Sequence, residues 1–533
     1  MTAVDFTAQT EAAANHIRRI ALGDILRRSA RRYRDKIALV DGEATLTYRE
    51  MDAAANRFAN YLLGLGLKAP AKVGMICANS IDMLVANFGI FKAGLTWVPI
   101  NHTLAPDAIG YIFDHAEIQT VVLDRGFYVR PDIRELLESR GIHPIIACAP
   151  TETPPEGVSS VRVAMSSGPD TEPDVEISSD QLAYIMYTSG TTGRQKGVMH
   201  SHASAYVGIA SNLFEWNIRP GQDVLSCILP LFHVGQFSVT APALHAGCTT
   251  VIQRGFDPAA TLAAIERHKM TIFVGLPMMY GAMLNDPNKS KADLSSLRLC
   301  IYAMAPMSKT MLLRLMEEFC PNFALVSGQT EVFTAASVFE THEQRKRFGA
   351  YWGVGTSVCE MTVMGDDGRL LGPGEVGEIV FRGPNVMLGY YKDPEATAQV
   401  QRHGWHHTGD LGVLDEDHQL LFLDRLKDMI KSGGENVPSI KVEEVLLRHP
   451  AVMNAAVVGL PHDRWGEAIT AFVTVRPEKE TSTAELIAHC KDHLGSFEVP
   501  KAVLIIPAFP MTSTGKVQKF ELRKAHLEHF QQA

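Results

Sequence analysis

Short apolar runs alternate with longer segments of helical periodicity along the first part of the chain. Two short segments, residues 72–77 and 182–187, are mostly apolar, which is typical of buried strands. Residues 81–95 and 261–269 carry apolar positions at helical spacing, and residues 271–274 predict another strand. Because strands alternate with helices, we expect an α/β fold in which the loops after strands carry the chemistry.

The pattern changes near residue 424, beyond which a smaller set of elements is predicted. Helices are expected at residues 441–448 and 484–494, and strands at 452–459 and 468–475. Together they make a compact α+β unit of about 110 residues, which is the size of a separate domain.

The length of 533 residues also predicts more than one folding unit, because single cores stop growing at about 250–300 residues. We predict a large N-terminal α/β domain of several subdomains, residues 1–424, and a small mobile α+β C-terminal domain, residues 425–533. The hinge is expected near residues 424–428. Residues 151–173 are rich in Pro, Ser, Glu and Gly, which predicts a surface connection without a domain boundary.

The composition is that of an ordinary globular protein, with 46% hydrophobic and 20% charged residues. The modest net charge of −9 argues against nucleic acid as a partner. The sequence has no apolar run of about 18 residues and no start typical of a signal peptide, so we expect a cytoplasmic protein without a transmembrane segment. Eight cysteines without a C-x-x-C pair predict neither a zinc site nor disulfides.

A loop at residues 187–198 combines three features of a polyphosphate-binding site. Gly190, Gly193 and Gly197 let the backbone approach an anion, and Lys196 adds positive charge. Hydroxyl groups that donate hydrogen bonds are present at Thr188, Ser189, Thr191 and Thr192. The spacing differs from that of P-loop nucleotide triphosphatases, since only two residues separate Gly190 from Gly193 and Val198 follows Gly197. The loop predicts ATP binding by a different family, and a flexible linker is the alternative.

Five motifs, in order along nearly the whole chain, are similar to those of the adenylate-forming superfamily, which contains acyl-CoA synthetases, luciferases and the adenylation domains of peptide synthetases. They are the loop at 187–198, Gln329-Thr330-Glu331, Thr408-Gly409-Asp410, Asp424-Arg425-Leu426-Lys427-Asp428 with Gly433-Gly434-Glu435-Asn436-Val437, and Thr514-Gly515-Lys516-Val517-Gln518-Lys519. The resemblance implies two reactions at one site. A carboxylate attacks the α-phosphate of ATP to give an acyl-adenylate and pyrophosphate, and a thiol then displaces AMP.

The resemblance places the nucleotide-handling residues in the second, third and fourth motifs. Glu331 would bind Mg²⁺, Thr330 would donate to a phosphate oxygen, and Gln329 belongs to the same ATP site. Asp410 would accept hydrogen bonds from the ribose hydroxyls, and Arg425 would also contact the ribose. Cations around the polyphosphate suit a reaction that depends on positioning and charge stabilisation.

In this superfamily the small domain rotates between the two reactions, so that two different lysines serve one active site in turn. By position, Lys516 would serve adenylation and Lys431 would serve thioester formation, with Lys427 at the hinge. Gly433 and Gly434 would let the pantetheine arm of coenzyme A pass close to the backbone.

The acyl pocket is expected around residues 230–235, which match the superfamily segment whose aromatic ring closes the carboxylate site. His233 is the predicted gate and Phe237, one helical turn further, a predicted wall. Ala303, Met304 and Ala305 would lie against the acyl-adenylate.

Each assignment has a simpler structural alternative. These alternatives are a packed core side chain for His233, a surface carboxylate for Glu331 and solvated side chains for the lysines. For Asp410 and for Gly433-Gly434 the alternative is an ordinary turn.

Two residues depart from the superfamily pattern. Ser327 stands where the family commonly has an aromatic residue that stacks on adenine, and loss of that stacking costs about 1 kcal/mol. Met304 is bulkier than the usual small residue, and it would either shorten the pocket or point into the core.

The expected function is that of an acyl-CoA synthetase that uses ATP, Mg²⁺ and CoA on an aliphatic acid, either fatty or a modified short- or medium-chain acid. The alternatives are an enzyme that loads a carrier protein, a variant limited to thioester formation, a luciferase-like oxygenase and a degenerate nucleotide-binding protein. The last predicts loss of Lys196, Glu331, Asp410 or Lys516, and all four are present. A homodimer is the default expectation for the oligomer.

Overall fold

The structure is a computed structural model that describes residues 17–188, 195–303, 307–511 and 517–530. Two compact units make up the chain, one of residues up to 361 together with 381–406, the other of residues 362–380 together with the chain from 407 onwards. The predicted combination of a large N-terminal α/β unit and a smaller C-terminal one is confirmed. The predicted division at residue 424 falls inside the second unit, so it stays a proposal about which part rotates.

The described residues form strands β1 to β25 in chain order. They are β1 (Ile37–Asp41), β2 (Ala44–Thr47), β3 (Lys72–Ile76), β4 (Thr96–Pro99), β5 (Thr120–Asp124), β6 (His143–Ala147), β7 (Leu182–Thr188), β8 (Lys196–Ser201), β9 (Val224–Cys227), β10 (Thr249–Ile252), β11 (Ile272–Gly275), β12 (Leu299–Tyr302), β13 (Phe323–Gln329), β14 (Val332–Phe339), β15 (Tyr351–Gly355), β16 (Glu360–Met364), β17 (Val376–Arg382), β18 (Gly389–Tyr390), β19 (His406–Leu414), β20 (Leu420–Arg425), β21 (Ile430–Ser432), β22 (Glu435–Val437), β23 (Val452–His462), β24 (Gly466–Val475) and β25 (Ala502–Ile505).

The α-helices follow the same order. They are α1 (Gly23–Arg32), α2 (Tyr48–Gly64), α3 (Ile81–Lys92), α4 (Pro106–His115), α5 (Arg125–Tyr128), α6 (Pro131–Glu138), α7 (Val161–Ser166), α8 (His202–Glu215), α9 (Val234–His245), α10 (Pro258–His268), α11 (Pro277–Leu284), α12 (Lys309–Glu318), α13 (Thr341–Gln344), α14 (Pro394–Val400), α15 (Ser439–Leu447), α16 (Thr483–His493) and α17 (Lys519–Ala525). A short 3-10 helix spans Lys289–Lys291.

Two sheets organise the first unit. One has the strand order β15-β14-β13-β12-β11-β9-β10-β1-β2, and the other has the order β18-β8-β7-β4-β3-β5-β6. Many of their neighbouring strands are parallel, as where β3 pairs with β4 and β5, or β10 with β1 and β9. Parallel strands are covered on both faces, which explains their nearly continuous apolar sequences. Helix α3 is buried along its whole length in this unit.

The edge of the second sheet holds the two ends of the predicted phosphate loop. Strands β7 and β8 form an antiparallel pair in which Thr188 lies opposite Lys196. On its other side β8 pairs with β18, so that Tyr390 lies opposite Val198. The loop therefore connects the two strands of a hairpin, and its second strand, β8, is paired with a neighbouring strand on each edge.

The second unit contains an antiparallel pair and a small separate sheet. Strands β19 and β20 form the pair, and the small sheet has the order β22-β21-β24-β23 with β25 parallel to β24. Its core includes Ile430, Val442, Val457 and Leu486, which are buried apolar side chains from β21, α15, β23 and α16. The α+β character predicted for the C-terminal region is confirmed.

Most predicted elements are present, with ends that shift by a few residues. The helix predicted at 81–95 is α3, which ends at Lys92 because Gly94 takes a φ of +68°. Residues 151–173 contain the short helix α7, which the sequence did not indicate and which begins where the Ser160 side chain accepts a hydrogen bond from the Val163 amide. A helix of six residues is too short to show a periodicity in the sequence.

Two further features of the described part of the chain concern its apolar helices and its cysteines. No described helix combines the length and the apolarity that crossing a membrane requires. All eight cysteines are buried, and each is a free thiol.

Candidate active site

The predicted phosphate loop is described only at its ends. Thr188 and Lys196 are paired across the hairpin, whereas Ser189, Gly190, Thr191, Thr192 and Gly193 lie outside the described residues. The backbone on either side is anchored to other elements. The Tyr391 amide donates to the Gly197 carbonyl at 2.7 Å, and the Tyr187 hydroxyl lies 2.7 Å from Nδ1 of His115.

Thr330 and Glu331 form the two-residue turn of the β13–β14 hairpin, because Gln329 pairs opposite Val332. The turn is attached to the strand that leaves the phosphate loop. The Thr330 carbonyl accepts a hydrogen bond from Nε2 of His200, a residue of β8, at 2.9 Å. The predicted motif and the strand that follows the predicted loop are therefore joined directly through a buried side chain.

The chain around β18 makes two contacts with Glu331. Its carbonyl accepts a hydrogen bond from the Met387 amide at 2.8 Å. Its carboxylate oxygen Oε1 accepts one from the Tyr390 hydroxyl at 2.9 Å. Nζ of Lys196 lies over the same tyrosine ring, 4.9 Å from its centroid, in a cation–π contact. One aromatic ring thus holds both the predicted metal ligand and the lysine of the phosphate loop.

The electrostatics of this group follow from burial. Removal from water and the nearby Glu331 carboxylate raise the pKa of Tyr390, so its hydroxyl stays protonated and can only donate to the carboxylate. Burial lowers the pKa of His200 to about 4, so this ring is neutral at pH 7. The Gln329 side chain is held separately, since its Oε1 lies 3.3 Å from Nε2 of His406.

His233 stands at the N-terminus of α9, where its ring is part of the helix cap. Its Nδ1 accepts a hydrogen bond from the Gly235 amide at 3.0 Å. In a neutral ring the proton therefore lies on Nε2, which makes that nitrogen a donor, as contact with a carboxylate requires. Asn79 fixes the preceding segment, because it accepts from the Leu231 amide at 2.9 Å and donates to the Leu229 carbonyl at 2.8 Å.

The structure places Phe237 in the aromatic core of the first unit. Its side chain is 1% exposed and its ring centroid lies 5.2 Å from Trp97 and 6.2 Å from Tyr184. Its role as a wall of the acyl pocket stays a prediction. Ala303 follows directly after β12, and Met304 and Ala305 lie outside the described residues.

In the second unit, Asp410 and Arg425 lie on neighbouring strands. They are a cross-strand pair of β19 and β20, and Nε of Arg425 lies 3.7 Å from Oδ1 of Asp410. The Asp410 amide donates to Oγ1 of Thr408 at 3.0 Å, and the Gly409 amide donates to Glu378 at 2.9 Å. The sequence predicted that these two motifs act together, and the pairing of the strands brings them together.

The predicted hinge and CoA residues lie close in sequence but differ in environment. Burial lowers the pKa of Lys427, whereas the Lys431 side chain is exposed on β21. Gly433 and Gly434 have φ values of +64° and +89°, which favour glycine. A Cβ added at Gly433 would lie 3.0 Å from the Trp465 ring. Lys516 lies outside the described residues.

Three residues of this arrangement were missed in the sequence: Tyr390, His200 and Asn79. Each lies in a segment that the sequence presents as an ordinary strand or helix boundary. A signal was present for Tyr390, since it follows a glycine after the apolar run at 386–388. Nothing local marks His200 or Asn79, because their partners lie 130 and 152 positions away.

Comparison with known proteins gives matches along nearly the whole chain. The profile of the family described as AMP-binding enzyme matches residues 26–391, and that of the AMP-binding enzyme C-terminal domain matches residues 441–516. Feruloyl-CoA synthase of Amycolatopsis sp is 33% identical over 509 residues, which cover 95% of this chain and 99% of the relative. A long-chain-fatty-acid–CoA ligase of Mycobacterium tuberculosis is 31% identical over 493 residues, covering 91% of this chain and 94% of the relative.

Solved structures give the same result. ATP-bound MatB from Rhodopseudomonas palustris matches with a TM-score of 0.86 and 27% identity over 95% of this chain and 99% of that one. The resemblance predicted from the five motifs is therefore confirmed by sequence and by structure. The chain belongs to the AMP-binding enzyme family, within the adenylate-forming superfamily of acyl-CoA synthetases.

Proposed function

We propose that this protein is an ATP-dependent acid–CoA ligase that works through an acyl-adenylate. Membership of the AMP-binding enzyme family supports this reaction class. The observation that carries the proposal furthest is the attachment of the Thr330–Glu331 turn to the phosphate-loop hairpin through His200 and Tyr390. The Glu331 carboxylate, the Tyr390 hydroxyl and the Lys196 ammonium group therefore lie near one another, next to the described end of the loop.

In the first step, a carboxylate oxygen of the acid forms a bond to the α-phosphorus of ATP, and the bond from that phosphorus to the bridging oxygen breaks. Pyrophosphate leaves, and an acyl-adenylate is formed. We assign Lys196 and the Thr330 hydroxyl to binding of the phosphate oxygens, where a positive charge and a donor stabilise developing negative charge. We assign Nε2–H of His233 to contact with the substrate carboxylate.

We propose that Glu331 holds Mg²⁺ together with the phosphates. The described residues include no group of three or more His, Cys, Asp or Glu side chains able to hold a metal. Magnesium in nucleotide sites is commonly held by one or two carboxylates plus the substrate phosphates, so a single glutamate in this position fits it. Bound there, the metal would neutralise charge on the phosphate oxygens.

In the second step, the thiol sulfur of CoA attacks the acyl carbon, the thiol proton is lost, and AMP leaves with the bonding electrons. We propose that Lys516 serves the first step and that Lys431, Gly433 and Gly434 serve the second. The positive φ at both positions favours glycine, and glycine has no side chain to obstruct the pantetheine arm. Asp410 and Arg425, paired on β19 and β20, are assigned to the ribose of the nucleotide.

The acid we propose is aliphatic, either a fatty acid or a modified short- or medium-chain acid. Two relatives give contrasting support, because one is a long-chain-fatty-acid–CoA ligase and the other a feruloyl-CoA synthase. Met304 supports a shorter acid if its side chain lies in the pocket. An aromatic acid is the rival that the experiment must distinguish.

The test is mass spectrometry of the products formed from ATP, Mg²⁺, CoA and a mixture of aliphatic and aromatic acids of different lengths. We expect acyl-CoA and AMP, with aliphatic acids consumed first. Acyl-adenylate without acyl-CoA would refute CoA as the acceptor and indicate a carrier protein. Acyl-CoA formed from supplied acyl-adenylate but not from ATP would indicate a variant limited to thioester formation, with Ser327 and Met304 as the first residues to replace.

We propose further that the protein is cytoplasmic and forms a homodimer. The homodimer is a base-rate expectation from the frequency of twofold oligomers. Light scattering on a size-exclusion column tests the dimer directly, and a mass of 58.5 kDa in solution would refute it.

A further inference from the structure

His200 lies inside the aromatic core beneath the proposed ATP site. Its side chain is fully buried. Its ring stacks on Tyr184, with centroids 5.2 Å apart and planes 29° apart, and meets the Phe333 ring at 5.9 Å. These rings prevent the imidazole from rotating. A polar ring in such surroundings is costly unless its nitrogens are bonded.

Both ring nitrogens of His200 have partners on different elements. Nε2 lies 2.9 Å from the Thr330 carbonyl, and Nδ1 lies 3.2 Å from Oγ of Ser204 on α8. A carbonyl can only accept, so the proton is on Nε2, and the Ser204 hydroxyl donates to Nδ1. The imidazole is therefore a fixed donor aimed at the main chain of the turn.

The turn needs support from outside its own hairpin. Two-residue hairpin turns usually take positive φ values, which match the twist of the strands, but neither Thr330 nor Glu331 has a positive φ. Both carbonyls of the turn are bonded to neighbouring elements instead, that of Thr330 to His200 and that of Glu331 to Met387. The position of the turn thus depends on two hydrogen bonds supplied by β8 and by the residues before β18.

We propose that His200 is a positioning residue for adenylation, which holds the Thr330–Glu331 turn against strand β8. The inference rests on the proposed function, since it assigns the role of a residue in that same site. Without the donor the Thr330 carbonyl loses its hydrogen-bond partner on β8, and the turn relaxes away from that strand. The Thr330 hydroxyl and the Glu331 carboxylate then no longer face the phosphates together, whereas thioester formation from a finished adenylate does not require them.

The experiment compares His200→Gln with His200→Asn. A glutamine amide reaches the position of Nε2 and keeps a donor for the Thr330 carbonyl, whereas an asparagine amide reaches only as far as Nδ1. We expect His200→Asn to lower kcat/KM for acid-dependent ATP–pyrophosphate exchange by about tenfold to a hundredfold. We expect transfer from supplied acyl-adenylate to CoA to change by less than about threefold, within the size of surface effects. His200→Gln should restore most of the exchange rate.

His202 provides a matched control, because it is also a fully buried histidine two residues further along the chain. Its Nδ1 accepts from the amide of Leu22, which precedes α1, at 3.2 Å, and the charged groups that face it are Asp24 and Arg19. At position 202 an asparagine side chain reaches the position of Nδ1 and keeps the hydrogen bond from the Leu22 amide, whereas a glutamine side chain loses it. His202→Gln is expected to lower thermal stability without changing the ratio of the two half-reactions.

Calorimetry of ATP binding with and without Mg²⁺ adds a readout that does not depend on turnover. We expect His200→Asn to weaken the gain in ATP affinity that Mg²⁺ gives, and His200→Gln to preserve it. Equal loss of both half-reactions in His200→Asn, or identical behaviour of the Asn and Gln variants, would overturn the inference. A wild-type protein that forms no acyl-adenylate from any acid would instead refute the proposed function.

Discussion

Tyr390 gives the sharpest prediction about the proposed ATP site, because one side chain makes two separable contacts. Its hydroxyl donates to Oε1 of Glu331 at 2.9 Å, and its ring lies 4.9 Å from Nζ of Lys196. Tyr390→Phe removes the first contact and keeps the second. Tyr390→Leu removes both.

The magnitude follows from the nature of each contact. A hydrogen bond to a charged group contributes about 1.5–3 kcal/mol, and the half-buried position of Glu331 reduces this to about 1–2 kcal/mol. We therefore expect Tyr390→Phe to lower kcat/KM for adenylation about fivefold to thirtyfold. Loss of the cation–π contact adds about 0.5–1 kcal/mol, so kcat/KM for adenylation should be about twofold to fivefold lower in Tyr390→Leu than in Tyr390→Phe.

The assay is acid-dependent ATP–pyrophosphate exchange over a range of Mg²⁺ concentrations, with thermal unfolding of each variant as a control for folding. Tyr390→Phe should need more Mg²⁺ to reach half of its maximal rate, because the Glu331 carboxylate is less well oriented. Transfer from supplied acyl-adenylate to CoA should stay near the wild-type rate. A Phe variant that matches the wild type at every Mg²⁺ concentration would refute the reasoning, since Tyr390 would then serve packing alone.

Three further predictions concern packing, pH and the two half-reactions. Gly208→Ala should destabilise the protein, although alanine favours helices by about 1 kcal/mol, because a Cβ at this position of α8 would lie 2.3 Å from the Phe333 carbonyl oxygen. Burial lowers the pKa of His202 to about 4 from its usual 6.5, so the unfolded state binds the proton first as the pH falls. The free energy of unfolding should therefore decrease between pH 6.5 and pH 4 by up to about 3 kcal/mol from this residue. Lys516→Ala should slow adenylation and spare thioester transfer, whereas Gly434→Val should do the reverse.

The measurements for these predictions are urea unfolding, the same unfolding repeated across pH, and the separate half-reaction assays. An unchanged midpoint for Gly208→Ala would show that α8 can move away from β14. If the free energy of unfolding depends on pH equally in the wild type and in His202→Leu, the assignment of the proton to this ring is contradicted. Loss of both half-reactions in Lys516→Ala would contradict the proposal that the two lysines act in different steps.

The sequence was a good guide to the elements and a poorer guide to their ends. Strands such as β3 and β7 are predictable because they are buried on both faces of the sheet, which requires a nearly continuous run of apolar residues. Helix α7 was missed, and α3 ends before its apolar pattern does, because short helices and helix ends depend on single caps and on the φ of one residue, Gly94. The extent of the second unit was also not predictable, since residues 362–380 belong to it although residues 381–406, which belong to the first unit, separate them from its remainder.

By itself the sequence determined the family and the class of chemistry, because each motif is contiguous and can be recognised from the types and spacing of its residues, such as glycines, hydroxyl-bearing residues and lysines. The tertiary structure alone decided how the motifs are held. Tyr390 is 59 positions from Glu331, and His200 is 130 positions from Thr330, yet each pair is in hydrogen-bond contact. The order of strands in the sheets creates these contacts, because pairing of β18 with β8 and packing of the β13–β14 turn beside them depend on the whole unit. Side chains that position other residues carry no local pattern, and only the folded chain shows them.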